Sequence, residues 1–166
     1  MGGVGALVET QRDLEQLELA ALAGRIASRP ELWRARVRHE RESRFYVQLH
    51  RDPHVDIWLI CWDALQETGL HDHDRSSGAV HVVEGTLLED SFVAREGGIG
   101  LQTVEHHAGS CFSFDSTYIH DVRHDGGVPA TSIHVYSPAL WRMGHYEVGP
   151  RGLGRVSLTY VEEVVA

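Results

Sequence analysis

The feature that most constrains this chain is a change of texture near residue 43. From there, short segments rich in apolar, β-branched and aromatic residues fall at 44–50, 55–62, 78–85, 87–94, 99–106, 110–114, 117–123, 129–137 and 155–161. Asp52-Pro53, Gly85, Gly97-Gly98, Gly109, Gly126-Gly127 and Pro138 punctuate them, the residues that break strands and make turns. Many short strands of even spacing predict an all-β barrel of the jelly-roll kind.

The stretch before residue 43 reads differently. Residues 9–27 place Leu14, Leu17, Ala21, Leu22 and Ile26 at roughly helical spacing, which predicts an amphipathic helix. Ser28-Arg-Pro-Glu31 fits a capping box with Pro30 in the first turn, so ELWRARV is expected to form a short second helix. These helices read as packing alone. The organisation expected is one domain over 1–166, with a helical N-terminal cap over 1–42 and the barrel over 43–166.

Charge narrows the partners. The 166 residues hold 15 basic and 24 acidic side chains, a formal charge of −9. Such a surface repels phosphate backbones and anionic lipid heads, so neither nucleic acid nor membrane is expected as a partner. Apolar runs such as Ile57–Trp62 are too short to span a bilayer. Met1-Gly-Gly-Val-Gly-Ala6 lacks the basic start and apolar stretch of a secretion signal, so a cytoplasmic protein is expected. Cys61 and Cys111 can form one bridge or stay as buried free thiols, and a reducing cytosol favours the thiols.

Twelve histidines invite a metal reading, with a histidine-rich surface as the alternative. The sharpest local feature is Gly69-Leu70-His71-Asp72-His73. In an extended segment, residues two apart face the same way, so His71 and His73 can grip one cation together. Ser132-Ile-His134-Val-Tyr136 uses the same alternation to align a hydroxyl, an imidazole and a phenol. Such a row can form a hydrogen-bond relay that fixes the histidine tautomer and aims the phenol. A solvent-facing polar strand is the alternative.

The first of these segments resembles the first motif of the cupin superfamily, with Gly85 at the family's glycine and Gly78 where most members carry a glutamate ligand. Gly109, Asp115, Thr117, His120 and His124 resemble a degenerate second motif, with His120 at its ligand position. The resemblance implies a cupin (jelly-roll) barrel with a metal on His71, His73 and His120. Without the glutamate, three neutral imidazoles leave three positions open on an octahedral ion. Imidazole suits iron, zinc, copper and nickel alike, so ligand type does not choose the metal.

Cys61-Trp62, HDHDRSSGAVHVVEGTL and SIHVYSP together resemble the thiol dioxygenase branch of the cupins, cysteine dioxygenase being its best-known type, over roughly residues 44–147. That resemblance implies an Fe(2+) enzyme, expected as a monomer, that oxidises a small thiol with O2 to a sulfinic acid. L-cysteine is the expected substrate, with 3-mercaptopropionate or another small thiol as the alternative. It also implies catalytic roles for Ser132, His134 and Tyr136. Two departures follow. A cysteine cross-linked to the tyrosine in mammalian-type enzymes is replaced by Gly78. The family's Tyr-x-Arg, whose arginine holds the substrate carboxylate, is best matched by Tyr46-Val47-Gln48. Gln48 would then bind the carboxylate without charge, unless Arg142 or Arg75 supplies it. A metal cupin of other chemistry, such as ring or diketone cleavage or isomerisation, and a non-catalytic metal-binding cupin sensor are the competing readings.

Overall fold

The computed structural model describes residues 3–8, 11–96 and 98–164. Helix α1 (Gln16–Ala27) starts later than expected because Glu15 caps it. The Glu15 side chain accepts from the backbone of the third helical residue, Glu18, whose own carboxylate accepts from the Glu15 N–H at 3.0 Å, a reciprocal cap. Residues 9 and 10 lie outside the described residues. The second expected helix is two 3₁₀ turns, Pro30–Leu32 and Arg34–Arg36. Ser28 caps neither, since its Oγ–H donates back to the Arg25 carbonyl at 3.0 Å and closes α1 instead.

Ten strands follow: β1 (Phe45–Arg51), β2 (Asp56–Trp62), β3 (Ser77–Glu84), β4 (Thr86–Arg95), β5 (Gly98–His107), β6 (Cys111–Phe114), β7 (His120–His124), β8 (Ala130–Ser137), β9 (Arg142–Gly149) and β10 (Gly152–Tyr160). A four-residue helix, α2 (Val161–Val164), ends the described chain. One sheet runs β1-β2-β8-β3-β6 and is antiparallel throughout. The other joins β5-β4-β7 to β9-β10 through the segment around His71, which bridges to both His120 and His145. The result is a jelly roll of two facing sheets rather than a closed barrel. Nine of its strands were expected; β9 was not.

Packing explains the apolar runs. One face of the five-stranded sheet presents Ile57, Leu59, Cys61, Ala79, Ile133 and Val135 to Leu19, Leu22, Ala23 and Ile26 of α1. The other face turns Trp58, Trp62, Val80, Val82 and Tyr136 toward the second sheet. Covered on both sides, β2 and β8 are buried almost end to end, and each large aliphatic side chain so enclosed contributes about 1.5–3 kcal/mol. The two thiols are unbridged, Cys61 buried and Cys111 exposed. At Gly85 (φ +73°) the chain turns from β3 into β4, and a Cβ there would lie 2.7 Å from the backbone of Pro129 and Ala130. Only glycine fits that corner.

Candidate metal centre

The backbone brings two distant segments together. His71 N–H donates to the His120 carbonyl at 2.9 Å and His120 N–H returns to the His71 carbonyl at 3.1 Å. Pairing at the start of β7 fixes His71 beside His120, and alternation then carries His73 to the same face. The candidate ligand atoms of His71, His73 and His120 all lie within 4.8 Å of one another, and all three side chains are buried.

Each ring is set differently. His71 donates Nδ1–H to the Gly69 carbonyl at 2.9 Å. His120 donates Nδ1–H to the Glu89 carboxylate at 2.8 Å. Both therefore keep an Nε2 lone pair for the centre, the tautomers following from their acceptors. In His73 both ring nitrogens are buried with no hydrogen-bond partner among the described residues. A buried imidazole with two idle nitrogens costs about 1–3 kcal/mol per unmet group, so a bound cation fits the site. Burial, and then the neighbouring His120, lowers the His71 pKa to about 3; burial likewise holds His73 far below the ordinary histidine value. Neutral imidazoles are metal-ready donors.

Among the described residues the cluster contains no carboxylate. The acid stands one layer back. Burial pushes Glu89 up, but hydrogen bonds from His106 and His120 outweigh it and hold the carboxyl at about 2. His106 donates to its second oxygen at 2.9 Å, so Glu89 stays an anion clamped by two rings. Asp72, between His71 and His73 in sequence, faces away: it accepts from Gly144 N–H at 3.0 Å and from the Tyr146 hydroxyl, tying β9 to the loop that carries both histidines.

The expected relay is present, and it is buried rather than solvent-facing. Trp62 Nε1–H donates to Ser132 Oγ at 2.9 Å, Ser132 Oγ lies 2.8 Å from His134 Nε2, and His134 Nδ1 lies 3.1 Å from the Tyr136 hydroxyl. The direction follows from counting protons. Ser132 accepts from Trp62, and His134 Nε2 is its one other hydrogen-bond partner among the described residues, so the assignment that leaves no buried hydroxyl proton idle sends the Ser132 proton to His134 Nε2. His134 therefore carries its proton on Nδ1 and donates to the Tyr136 oxygen, leaving the phenol O–H free to donate elsewhere. Burial keeps His134 neutral. Burial, with Asp56 nearby, raises the Tyr136 pKa, so the phenol keeps its proton.

A cavity of about 220 Å³ opens against this face, lined by His71, His120, His134, Tyr136, Tyr46 and Arg44, with Trp58, Ile60, Leu140, Met143 and Val161 as its apolar wall. Two of the expected substrate contacts lie elsewhere. Gln48 donates to Asp56 at 2.9 Å, further out along β1. Arg142 pairs with Asp74 at 3.0 Å, because its β9 neighbours Met143 and His145 take the inward face. Arg75 lines a separate surface hollow. The cation in the cavity is Arg44, which precedes Tyr46 by two residues and shares its face. Its guanidinium lies 4.9 Å over the Trp62 ring and donates to the Glu67 carbonyl, while its Nε is buried with no hydrogen-bond partner among the described residues.

Sequence reasoning missed Arg44, Glu89, His106 and the link from Trp62 to Ser132. Glu89 carried a signal: it falls in phase with Leu87 and Ser91 on the buried face of β4, where an acid needs a buried partner.

A jelly roll with three convergent histidines and an enclosed phenol defines a cupin-type candidate metalloprotein. The chain belongs to the cysteine dioxygenase type I family, whose profile matches residues 7–148. Solved structures agree on the fold. A cupin superfamily protein from Desulfitobacterium hafniense is 10% identical at a TM-score of 0.53, covering 63% of this chain and 86% of its own. A double-stranded β-helix protein from Klebsiella pneumoniae is 16% identical at 0.53, covering 62% and 79%. A protein from Bacillus halodurans is 21% identical at 0.50, covering 57% and 70%. Among the described residues no helix is long and apolar enough to cross a membrane.

Proposed function

We propose that the protein is an iron(II)-dependent dioxygenase that converts a small thiol bearing a carboxylate, with L-cysteine the first candidate, to its sulfinic acid. The balance is RSH + O2 → RSO2H: two S–O bonds form, the O–O bond breaks, sulfur loses four electrons and dioxygen gains them. No other reductant is needed.

The observation that carries this reading is the Tyr136 hydroxyl. It lies 3.1 Å from His134 Nδ1 and lines a cavity whose wall includes His71 and His120, and with His134 assigned as the donor its own proton is free for that cavity. Iron held by His71, His73 and His120 would acidify the thiol and bring it together with dioxygen. The protein's residues do the rest. Tyr136 donates to the substrate or to oxygen where charge develops. Ser132 and Trp62 keep His134 in the tautomer that leaves this proton available. Arg44, desolvated and with an idle Nε, pairs with the substrate carboxylate. The apolar wall excludes bulk water.

The experiment is an oxygen-electrode assay of iron-loaded protein against cysteine, 3-mercaptopropionate and cysteamine. Uptake is expected with the two carboxylates, and much weaker uptake with cysteamine, which offers Arg44 nothing to bind. Absence of thiol-dependent uptake with all three would overturn the reading and favour a binding module.

A further inference from the structure

Of the three clustered histidines, His73 alone lacks a hydrogen bond to its ring among the described residues. Something else must hold it. Two aromatic side chains stack on the ring, Phe114 at 4.6 Å and 26° and Tyr136 at 5.1 Å and 28°. Both separations lie in the range where offset rings attract, each such pair contributing beyond its buried area.

The sheet register makes this possible. Gly78 pairs with Phe114 on one side and with Tyr136 on the other. Phe114, Gly78 and Tyr136 therefore form a row across three neighbouring strands. The glycine leaves the middle of the row open. A Cβ at position 78 would lie 2.4 Å from Phe114 Cζ, 2.5 Å from its Cε2 and 3.1 Å from Tyr136 Cδ1. The Phe114 ring also meets His120 edge-on at 4.7 Å, so it contacts two of the three histidines.

We propose that Phe114 is a positioning residue of the metal centre, its ring leaning over Gly78 to hold His73 against Tyr136 by stacking where a hydrogen bond would otherwise set the imidazole. This rests on the metal-centre reading and not on the identity of the reaction. It also explains the glycine at position 78, since a Cβ here would meet Phe114 at 2.4 Å and push it off His73.

The test is a double-mutant cycle read by cobalt(II) titration of the full-length protein, following the visible ligand-field bands, with the melting temperature of the metal-free form beside it. Phe114→Leu is expected to weaken cobalt binding about tenfold and to shift the bands. Gly78→Ala should do the same. The combination should be no worse than Phe114→Leu alone, because the shorter leucine no longer meets the new methyl group. Leu87→Val, a core change away from this row, should lower the melting temperature with cobalt binding unchanged. If Phe114→Leu and Gly78→Ala bind cobalt with wild-type affinity and bands, the inference is overturned even where stability falls. If the wild type binds no cobalt, the metal centre itself is overturned. Absence of thiol oxidation by a protein that binds cobalt as expected would count against the proposed reaction alone.

Discussion

Glu89 accepts a hydrogen bond from His120 Nδ1 at 2.8 Å while sharing its other oxygen with His106 at 2.9 Å. The carboxylate that most cupins place on the metal is thus replaced by one that acts through a histidine. A buried anion behind the ring makes Nε2 a better donor and fixes its aim. The centre keeps three imidazole donors, and a compensating negative charge sits one layer behind them.

Glu89→Gln keeps the shape and removes that charge. Metal affinity is expected to fall about 10–100-fold, the usual loss when an outer partner of a ligating histidine is removed. Competition against a chromophoric chelator measures it. Unchanged affinity would mean that the Glu89–His120 contact is only structural.

Tyr136→Phe separates chemistry from metal binding. The substitution leaves the clustered donors His71, His73 and His120 in place, so iron content should match the wild type. Turnover should drop by two orders of magnitude or more, about the loss seen when one donor to a developing charge is removed. Iron analysis alongside steady-state kinetics decides it, and full activity would remove Tyr136 from the mechanism.

Arg44→Leu tests the substrate anchor. A hydrogen bond to a charged partner is worth about 1.5–3 kcal/mol, so kcat/KM for cysteine or 3-mercaptopropionate should fall by one to two orders of magnitude. The weak rate with cysteamine should hardly change. Equal losses with all three thiols would indicate damage to the fold rather than loss of a carboxylate contact.

Acidity should unfold the metal-free protein early. In the fold His71 titrates near 3, against about 6.5 in an open chain. Between those values the unfolded chain takes up a proton that the fold refuses, so stability falls as pH drops. His73 and His134 contribute with the same sign, since burial lowers both. Glu89, held at about 2, adds a further loss once pH falls below the ordinary carboxylate range. Urea titrations of chelator-treated protein should show stability declining by about 1.4 kcal/mol per pH unit for each such histidine below pH 6.5. A flat profile from neutral to about pH 5 would contradict the buried neutral rings.

Much of this was legible because alternation is local. His71 with His73, and Ser132 with His134 and Tyr136, are two apart on extended chain, so spacing alone put each set on one face. The same rule reached its limit at β1. Arg44, Tyr46 and Gln48 share a phase, yet depth along the strand decides which meets the cavity, and Asp56 from the adjacent β2 claims Gln48. Strand β9 escaped notice because RMGHYEVG has no apolar rhythm. It is held by partners: Leu70 and Asp72 on one edge and β10 on the other. The Glu89 pair and the Phe114–Gly78–Tyr136 row depend on register between strands far apart in sequence, which no single segment encodes.

The most direct test of the account is to supply labelled dioxygen, ¹⁸O2, to the iron-loaded protein with cysteine and weigh the product. Both oxygens of one labelled molecule are expected in a single sulfinic acid, with no peroxide released. Cystine with hydrogen peroxide, or a product carrying oxygen from water, would contradict it.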